Sequence, residues 1–371
     1  MLDMPGNFCS MDCMNRYVMI MAGGAGERFW PLSRVAKPKH LWSVAGSGGC
    51  LLEQALRRAA RVVPQDNIFI VTNREQVEGI RAACPDFPPD RIISEPLPRD
   101  TTAAVSAGAA WISLREAGRD ASFAVLPSDH VVPDEDAFAA TVLEAFELAE
   151  GGDRLVTIGV EPSFPSTGYG YIKRGEPLGG GGRPSCRVAR FFEKPSAVRA
   201  AYYLESGGFY WNSGIFVWKV SSVVSAVSRF APAIGAAFEQ MRADAENGGD
   251  FAGAMARCYP DVERISIDFS VMEKADNAWV VPAGFAWDDV GSWSAVERHY
   301  ARDENGNVAR GELFAKDSED CVVFDESGRA TALVGVRDLI VVHAPDATLI
   351  CRRDCAESVK GLVAMLPKNY R

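Results

Sequence analysis

Arginine and lysine side chains close behind a run of glycines can hold a polyphosphate, and this chain has that arrangement near its start. Gly23-Gly24-Ala25-Gly26 is followed at once by Arg28, with Lys37 and Lys39 a little further on. Glycines let the backbone turn sharply and approach a ligand, with amide groups left to cradle an anion. The apolar run Tyr17 to Met21 before them reads as a buried strand. The spacing weakens the two commonest phosphate-loop readings. A dinucleotide fingerprint needs a glycine where Phe29 stands, and no Gly-Lys-Ser or Gly-Lys-Thr follows to make a P-loop. What fits is G-G-x-G-x-R, a gap, then Pro38-Lys39.

Carboxylates supply the second half of such a chemistry. Leu126-Pro127-Ser128-Asp129-His130 closes another apolar run, so Asp129 is placed at a strand end. Far downstream, Trp287-Asp288-Asp289-Val290-Gly291 offers a second carboxylate. Magnesium is held by one or two carboxylates together with substrate phosphates, so two strand-end aspartates beside a glycine loop suit nucleotidyl transfer. His130 reads as structural. Each residue also has an ordinary explanation, a capping aspartate or a surface cation, and the joint pattern carries the reading.

These residues need elements to position them, and the chain alternates accordingly. Leu51 to Val63, Arg74 to Ala83, Asp100 to Glu116 and Asp134 to Glu150 have helical spacing. Asn67 to Val71, Arg91 to Ser94, Ser122 to Leu126 and Arg154 to Val160 read as buried strands. Such alternation predicts an α/β, Rossmann-like, mostly parallel sheet with helices on both faces. Ligands bind beyond the carboxyl ends of such strands, where the Gly23 loop, Ser94-Glu95-Pro96 and Pro127-Ser128-Asp129 all fall. The middle is looser. Phe209 to Trp218 reads as strand and Ser221 to Ala245 as helix broken near Pro232, a block suited to closing the other side of the site. After Asn305 short strands recur, Cys321 to Phe324, Ala330 to Val336, Leu339 to His343 and Thr348 to Cys351. They suggest a small β segment for packing or assembly. The expected division is 1–15 as a disordered extension, 16–304 as the nucleotidyltransferase domain and 305–371 as the β segment.

Composition narrows the class. The chain has 371 residues and a net charge of −10, from 49 acidic and 39 basic residues, which argues against a nucleic-acid partner. Nine scattered cysteines, with Cys9 and Cys13, like Cys351 and Cys355, spaced by four and without nearby histidines, read as reduced thiols and not as a zinc site. No apolar run approaches the ~18 residues of a membrane span, and the Met-rich start lacks a signal-peptide pattern. A cytoplasmic location is expected.

In order along the chain stand GGAGERFWPLS with KPK, then EPLPRDT, LPSDH, TGYGYI, FFEKP, WNSGIF and WDDVGSW. Over residues 16 to about 300 this series resembles the sugar-1-phosphate nucleotidyltransferases, and in WNSGIF with WDDVGSW their mannose-1-phosphate guanylyltransferase branch of the bacterial long type. GVRDLIVVHAPDATLI resembles that branch's C-terminal segment, a left-handed β-helix-like coil. The chain stops at Arg371, so an isomerase domain is not expected. Asp100 stands where many members carry asparagine.

The resemblance implies GTP and mannose 1-phosphate as substrates and Mg2+ as cofactor, and it leaves room for a homodimer. It implies that Gly23, Gly24 and Gly26 hold the nucleotide, with Glu95, Arg99, Asp100 and Thr101 beside the base. Arg28 and Lys39 would meet the triphosphate and Lys194 the sugar phosphate. Gly168, Glu193 and Asn212 would contact the sugar, and Asp129 and Asp289 the magnesium. The sugar phosphate would attack the α-phosphorus of GTP in line, already anionic and needing no general base. Two other readings stay open, a relative such as a glucose-1-phosphate thymidylyltransferase and a non-catalytic nucleotide-sensing protein of the same fold.

Overall fold

The computed structural model describes residues 15–24, 26–44, 48–179 and 184–371. The expected N-terminal extension, save Asn15, lies outside the described residues, as do Ala25 and Gly180 to Gly182.

Strand β1 (Arg16–Met21) shows why a sheet covered on both faces forms here. Its side chains alternate, and both sets are apolar. Tyr17 and Met19 enter one core beneath helices, while Val18 and Ile20 enter a second core on the opposite face. Strands β2 (Ile68–Asn73) and β4 (Ser122–Pro127) flank it and β3 (Ile92–Glu95) lies beyond β2, all in parallel. Helices α1 (Leu51–Ala60), α2 (Val77–Ala83), α3 (Asp100–Arg115) and α4 (Glu135–Glu150) make the crossovers. Asp134 caps α4 by accepting from the Ala137 amide. Gly108 of α3 lets that helix close on the sheet, since an added Cβ would sit 2.6 Å from Met19 Sδ.

The sheet continues through β5 (Leu155–Val160), β6 (Tyr171–Pro177), β7 (Cys186–Phe192), β8 (Phe209–Lys219) and β9 (Ala278–Pro282). Its nine strands run β3-β2-β1-β4-β8-β5-β9-β7-β6. The α/β class is as expected, but parallel pairing is concentrated at the β3-to-β4 end. The eleven-residue β8 runs antiparallel to β4, β5 and β6, and of the remaining pairs only β5 with β9 is parallel. Both sides of β8 read as apolar, so sequence alternation could not report its direction. Helix α5 (Ala197–Ser206) covers one face, while α6 (Val220–Phe230), α7 (Pro232–Glu246) and α8 (Phe251–Cys258) cover the other with α3. The predicted break before Pro232 is present, with Pro232 opening α7.

Helix α9 (Trp293–Val296) leads into short strands. Of these, β10 (Val308–Arg310), β12 (Val322–Asp325) and β14 (Leu339–His343) stack in parallel, as do β11 (Leu313–Lys316) and β13 (Thr331–Val334). Strand β15 (Thr348–Arg352) returns antiparallel to β14, and α10 (Val359–Met365) follows. This coil shares one core with the start of the chain. Phe29, Trp30, Trp42 and Trp293 pack with Val322, Phe324, Ile340 and Val363.

Candidate active site

The glycine loop begins where β1 ends, and its carbonyls are tied down from the side. Thr72 Oγ1 donates to the Ala22 carbonyl at 2.7 Å and Asn73 Nδ2 to that of Gly23 at 3.2 Å. Gln76 Nε2 donates to the Gly24 carbonyl at 3.4 Å. No hydrogen bond within the described residues engages the amides of Gly23 or Gly24, so the loop keeps its donors for a ligand. Gly26 has φ +62°, and a Cβ there would meet Lys39 Cβ at 2.5 Å. Glycine is therefore required both by conformation and by the closeness of Lys39.

Lys39 is buried at 4 % exposure, and two distant segments converge on it. Its Nζ donates to Asp129 Oδ2 at 2.8 Å and to the Asp289 carbonyl at 2.6 Å. Burial works to raise the Asp129 carboxyl, but the Lys39 ammonium overcomes it and holds the group at about 2. Asp289 is shifted the other way by burial, with Asp288 and Asp129 adding to it. Its Oδ1 accepts from the Tyr169 hydroxyl at 2.7 Å and the Gly291 amide at 3.0 Å. His40 and His130 are held down to about 4, chiefly by burial, so both are neutral near pH 7. His130 Nδ1 accepts from Trp287 Nε1, the structural role expected of it. Asp288 turns away from Lys39 and takes a bidentate bond from Arg298 at 2.8 and 2.7 Å. Among the described residues no group of three His, Cys, Asp or Glu side chains forms a metal cage. The donors here are oxygen only, which suits a hard cation completed by substrate phosphates.

Arg28, Gly168, Tyr169 and Asp289 line one open cleft of about 270 Å³ with Arg298 and Glu357. From there the segment 168–170 leads to a second cluster. A Cβ on Gly170 would lie 2.6 Å from Glu193 Oε2 and 3.4 Å from Asn212 Cβ, so these groups crowd one point. Asn212 Nδ2 donates to Asp268 Oδ1 at 2.7 Å, and Asn212 Oδ1 accepts from Thr157 and from the Gly214 amide. Burial pushes Asp268 up to about 6, with nearby Glu193 adding to it. Lys194 pairs with Glu193, is 58 % exposed, and faces the depression where Arg190 and Arg199 also lie.

At the other end, Glu95 lies against Gly23 at the tip of β3. Burial pushes its carboxyl up to about 7, and the Tyr259 hydroxyl donates to it at 3.2 Å. Asp100 has φ +68° and accepts from the Thr101 amide. The Arg99 and Thr101 side chains are otherwise engaged. Arg99 donates to the Tyr259 and Pro260 carbonyls, and Thr101 Oγ1 accepts from the Ile267 amide. They anchor the segment that delivers Tyr259 and Asp268.

Sequence reading missed Tyr169, Asp268, Tyr259 and Glu357. Tyr169 stood inside a motif already noted, and its hydroxyl beside a glycine pair was the available signal. Nothing local marked the other three, because each meets its partner only through the fold.

Residues 17–306 match the family model described as Nucleotidyl transferase, and residues 311–366 match the MannoseP isomerase/GMP-like beta-helix domain. A mannose-1-phosphate guanylyltransferase from Salmonella montevideo is 37 % identical over 362 residues, covering 95 % of this chain and 74 % of that protein. The chain belongs to the mannose-1-phosphate guanylyltransferase family. A relative of the same description from Escherichia coli is 35 % identical, over 96 % of this chain and 74 % of its own length. A crystal structure from Thermus thermophilus, described as a mannose-1-phosphate geranyltransferase, superposes with TM-score 0.80 at 35 % identity. It covers 95 % of this chain and 99 % of that one. Among the described residues no helix is long and apolar enough to cross a membrane.

Proposed function

We propose that this chain transfers GMP from GTP to mannose 1-phosphate, giving GDP-mannose and pyrophosphate. The observation that carries the reading is Lys39, buried and bonded both to Asp129 and to the Asp289 carbonyl beside the glycine loop. Membership of the guanylyltransferase family supports the choice of substrates.

The glycine loop offers its amides to the triphosphate, and Arg28 and Lys39 offset its charge. Glu95 lies on the nucleotide side, and Asn212, Glu193 and Lys194 on the sugar side. A phosphate oxygen of mannose 1-phosphate forms a bond to the α-phosphorus, and the bond from that phosphorus to the β-phosphate's bridging oxygen breaks. The pyrophosphate carries away the electron pair. Both reactants are anions, so catalysis is mainly positioning and charge neutralisation. Asp129 and Asp289 would hold magnesium, which when bound supplies further neutralisation of the phosphates. Tyr169 and the Gly291 amide fix the Asp289 carboxyl for that task.

The test is pyrophosphate release across GTP, dTTP and UTP with mannose 1-phosphate and glucose 1-phosphate. GTP with mannose 1-phosphate is expected to be fastest. Preference for dTTP with glucose 1-phosphate would overturn the reading.

A further inference from the structure

One ion pair joins the two ends of the chain at the mouth of the cleft. Glu357 belongs to the 3-10 segment Arg353–Ser358, just before α10. Its Oε2 lies 2.7 Å from Arg28 Nε. Beside it, Lys360 lies 3.6 Å from Glu27. Among the described residues no other ion pair, and no hydrogen bond, holds the Arg28 guanidinium, which rides on the three-residue turn Glu27–Phe29. The contact is one of charge: Nε itself is buried without a hydrogen-bond partner. With the carboxylate on that edge, the guanidinium still presents its two terminal nitrogens, the fork that matches a pair of phosphate oxygens.

The segment carrying Glu357 is itself fixed. Arg353 pairs with Glu297, and its carbonyl accepts from Ser294 Oγ at 3.4 Å. Ala356 and Val359 are buried in the core that also holds Phe29 and Trp30. Trp30 Nε1 donates to the Tyr370 carbonyl at 2.8 Å. The Glu357 carboxylate is therefore delivered from a braced frame to a side chain with little bracing of its own.

We propose that Glu357 is a positioning residue for Arg28, so that the C-terminal coil completes the nucleotide site. It acts through Arg28 by limiting the directions in which the guanidinium can point before a triphosphate arrives. This rests on the assignment of the cleft to a nucleoside triphosphate.

The test uses the full chain with Glu357→Gln, which keeps the size and removes the charge. Pyrophosphate release is measured with GTP varied at saturating mannose 1-phosphate, and the reverse. The KM for GTP should rise roughly fivefold, the upper range for a partly exposed pair. The KM for mannose 1-phosphate and the thermal midpoint should hold. In an Arg28→Lys background, which lacks the planar guanidinium to be aimed, Glu357→Gln should add nothing further. An unchanged or lowered KM for GTP overturns the proposal, the lowered value marking Glu357 as a competitor of the phosphates. An equal loss in both backgrounds also overturns it. A wild type that releases no pyrophosphate overturns the reaction assignment alone. Calorimetric titration of the same variants with GTP then tests Glu357 separately, an unchanged Kd counting against it.

Discussion

The two charged corners of the candidate site are built in opposite ways. At the corner proposed for the phosphates Lys39 reaches partners 90 and 250 residues away in sequence, and the group it meets at Asp129 is held at about 2. At the corner proposed for the sugar Glu193 and Lys194 are adjacent in sequence, Lys194 is largely exposed, and Asp268 is pushed up to about 6. One corner keeps Asp129 ionised across the physiological range, locked by long-range folding. The other joins a local ion pair to a half-buried carboxyl, Asp268, which the fold brings in and which can take up a proton. The difference suits the two proposed tasks. Opposed phosphates need fixed charge, while hydroxyl groups need hydrogen-bond acceptors and donors whose exact charge matters less.

The harshest way to break this comparison is at the metal. Asp129→Asn and Asp289→Asn are each expected to lower kcat by about 10³-fold, as loss of transition-state charge stabilisation does, and EDTA should silence the wild type. Steady-state kinetics with a magnesium titration checks this, and wild-type activity in EDTA would sink it. Next comes Arg28→Ala, expected to lower kcat/KM for GTP by about 10²- to 10³-fold with the fold intact. Near-normal turnover by a folded variant would count against the phosphate assignment. Asp288 should behave differently from its neighbour. It faces Arg298 and His299, so Asp288→Asn should cost about 2–3 kcal/mol of stability, below the 3–5 for a fully buried pair because Arg298 keeps contact with water. Urea unfolding measures it, and a loss of activity larger than that of Asp289→Asn would reverse the assignment.

The sugar corner should give smaller and more selective effects. Asn212→Ala is expected to raise the KM for mannose 1-phosphate about tenfold, or ~1.4 kcal/mol, with that for GTP much less changed. Equal loss for both substrates would make Asn212 a folding residue. Smallest is the pH effect. Asp268 binds its proton more tightly when folded, so its contribution to stability is present at low pH and declines as pH rises from 3.8 through about 6. The decline should be about 1–2 kcal/mol, discounted for partial exposure, and Asp268→Asn should flatten it. Matching stability curves for the two proteins between pH 4 and 6 would refute this.

The same contrast explains what could be read from the chain alone. The Gly26-x-Arg28 spacing is local, and β1, β2 and β4 announce themselves by apolar runs. Lys39 was legible as a cation near a glycine loop. Its burial was not, because that depends on Asp129 and Asp289 arriving from other strands. Arg99 and Thr101 show the reverse difficulty. Their position in EPLPRDT suggested a role beside the base, yet their side chains bond to the 259–267 segment. The mixed direction of the far half of the sheet was hidden because β8 is apolar on both faces and its pairing on each side is fixed only in three dimensions.

The apolar core shared by Phe29, Trp42 and Trp293 with Phe324 and Ile340 has a consequence for inheritance. A coil that merely followed the catalytic part could be gained, lost or exchanged as a cassette in the course of descent. Here a breakpoint between the two parts leaves three aromatic rings beside the glycine loop without their cover. The coil and the loop are therefore expected to change together, with substitutions in β12 or β14 acting on the site through this core.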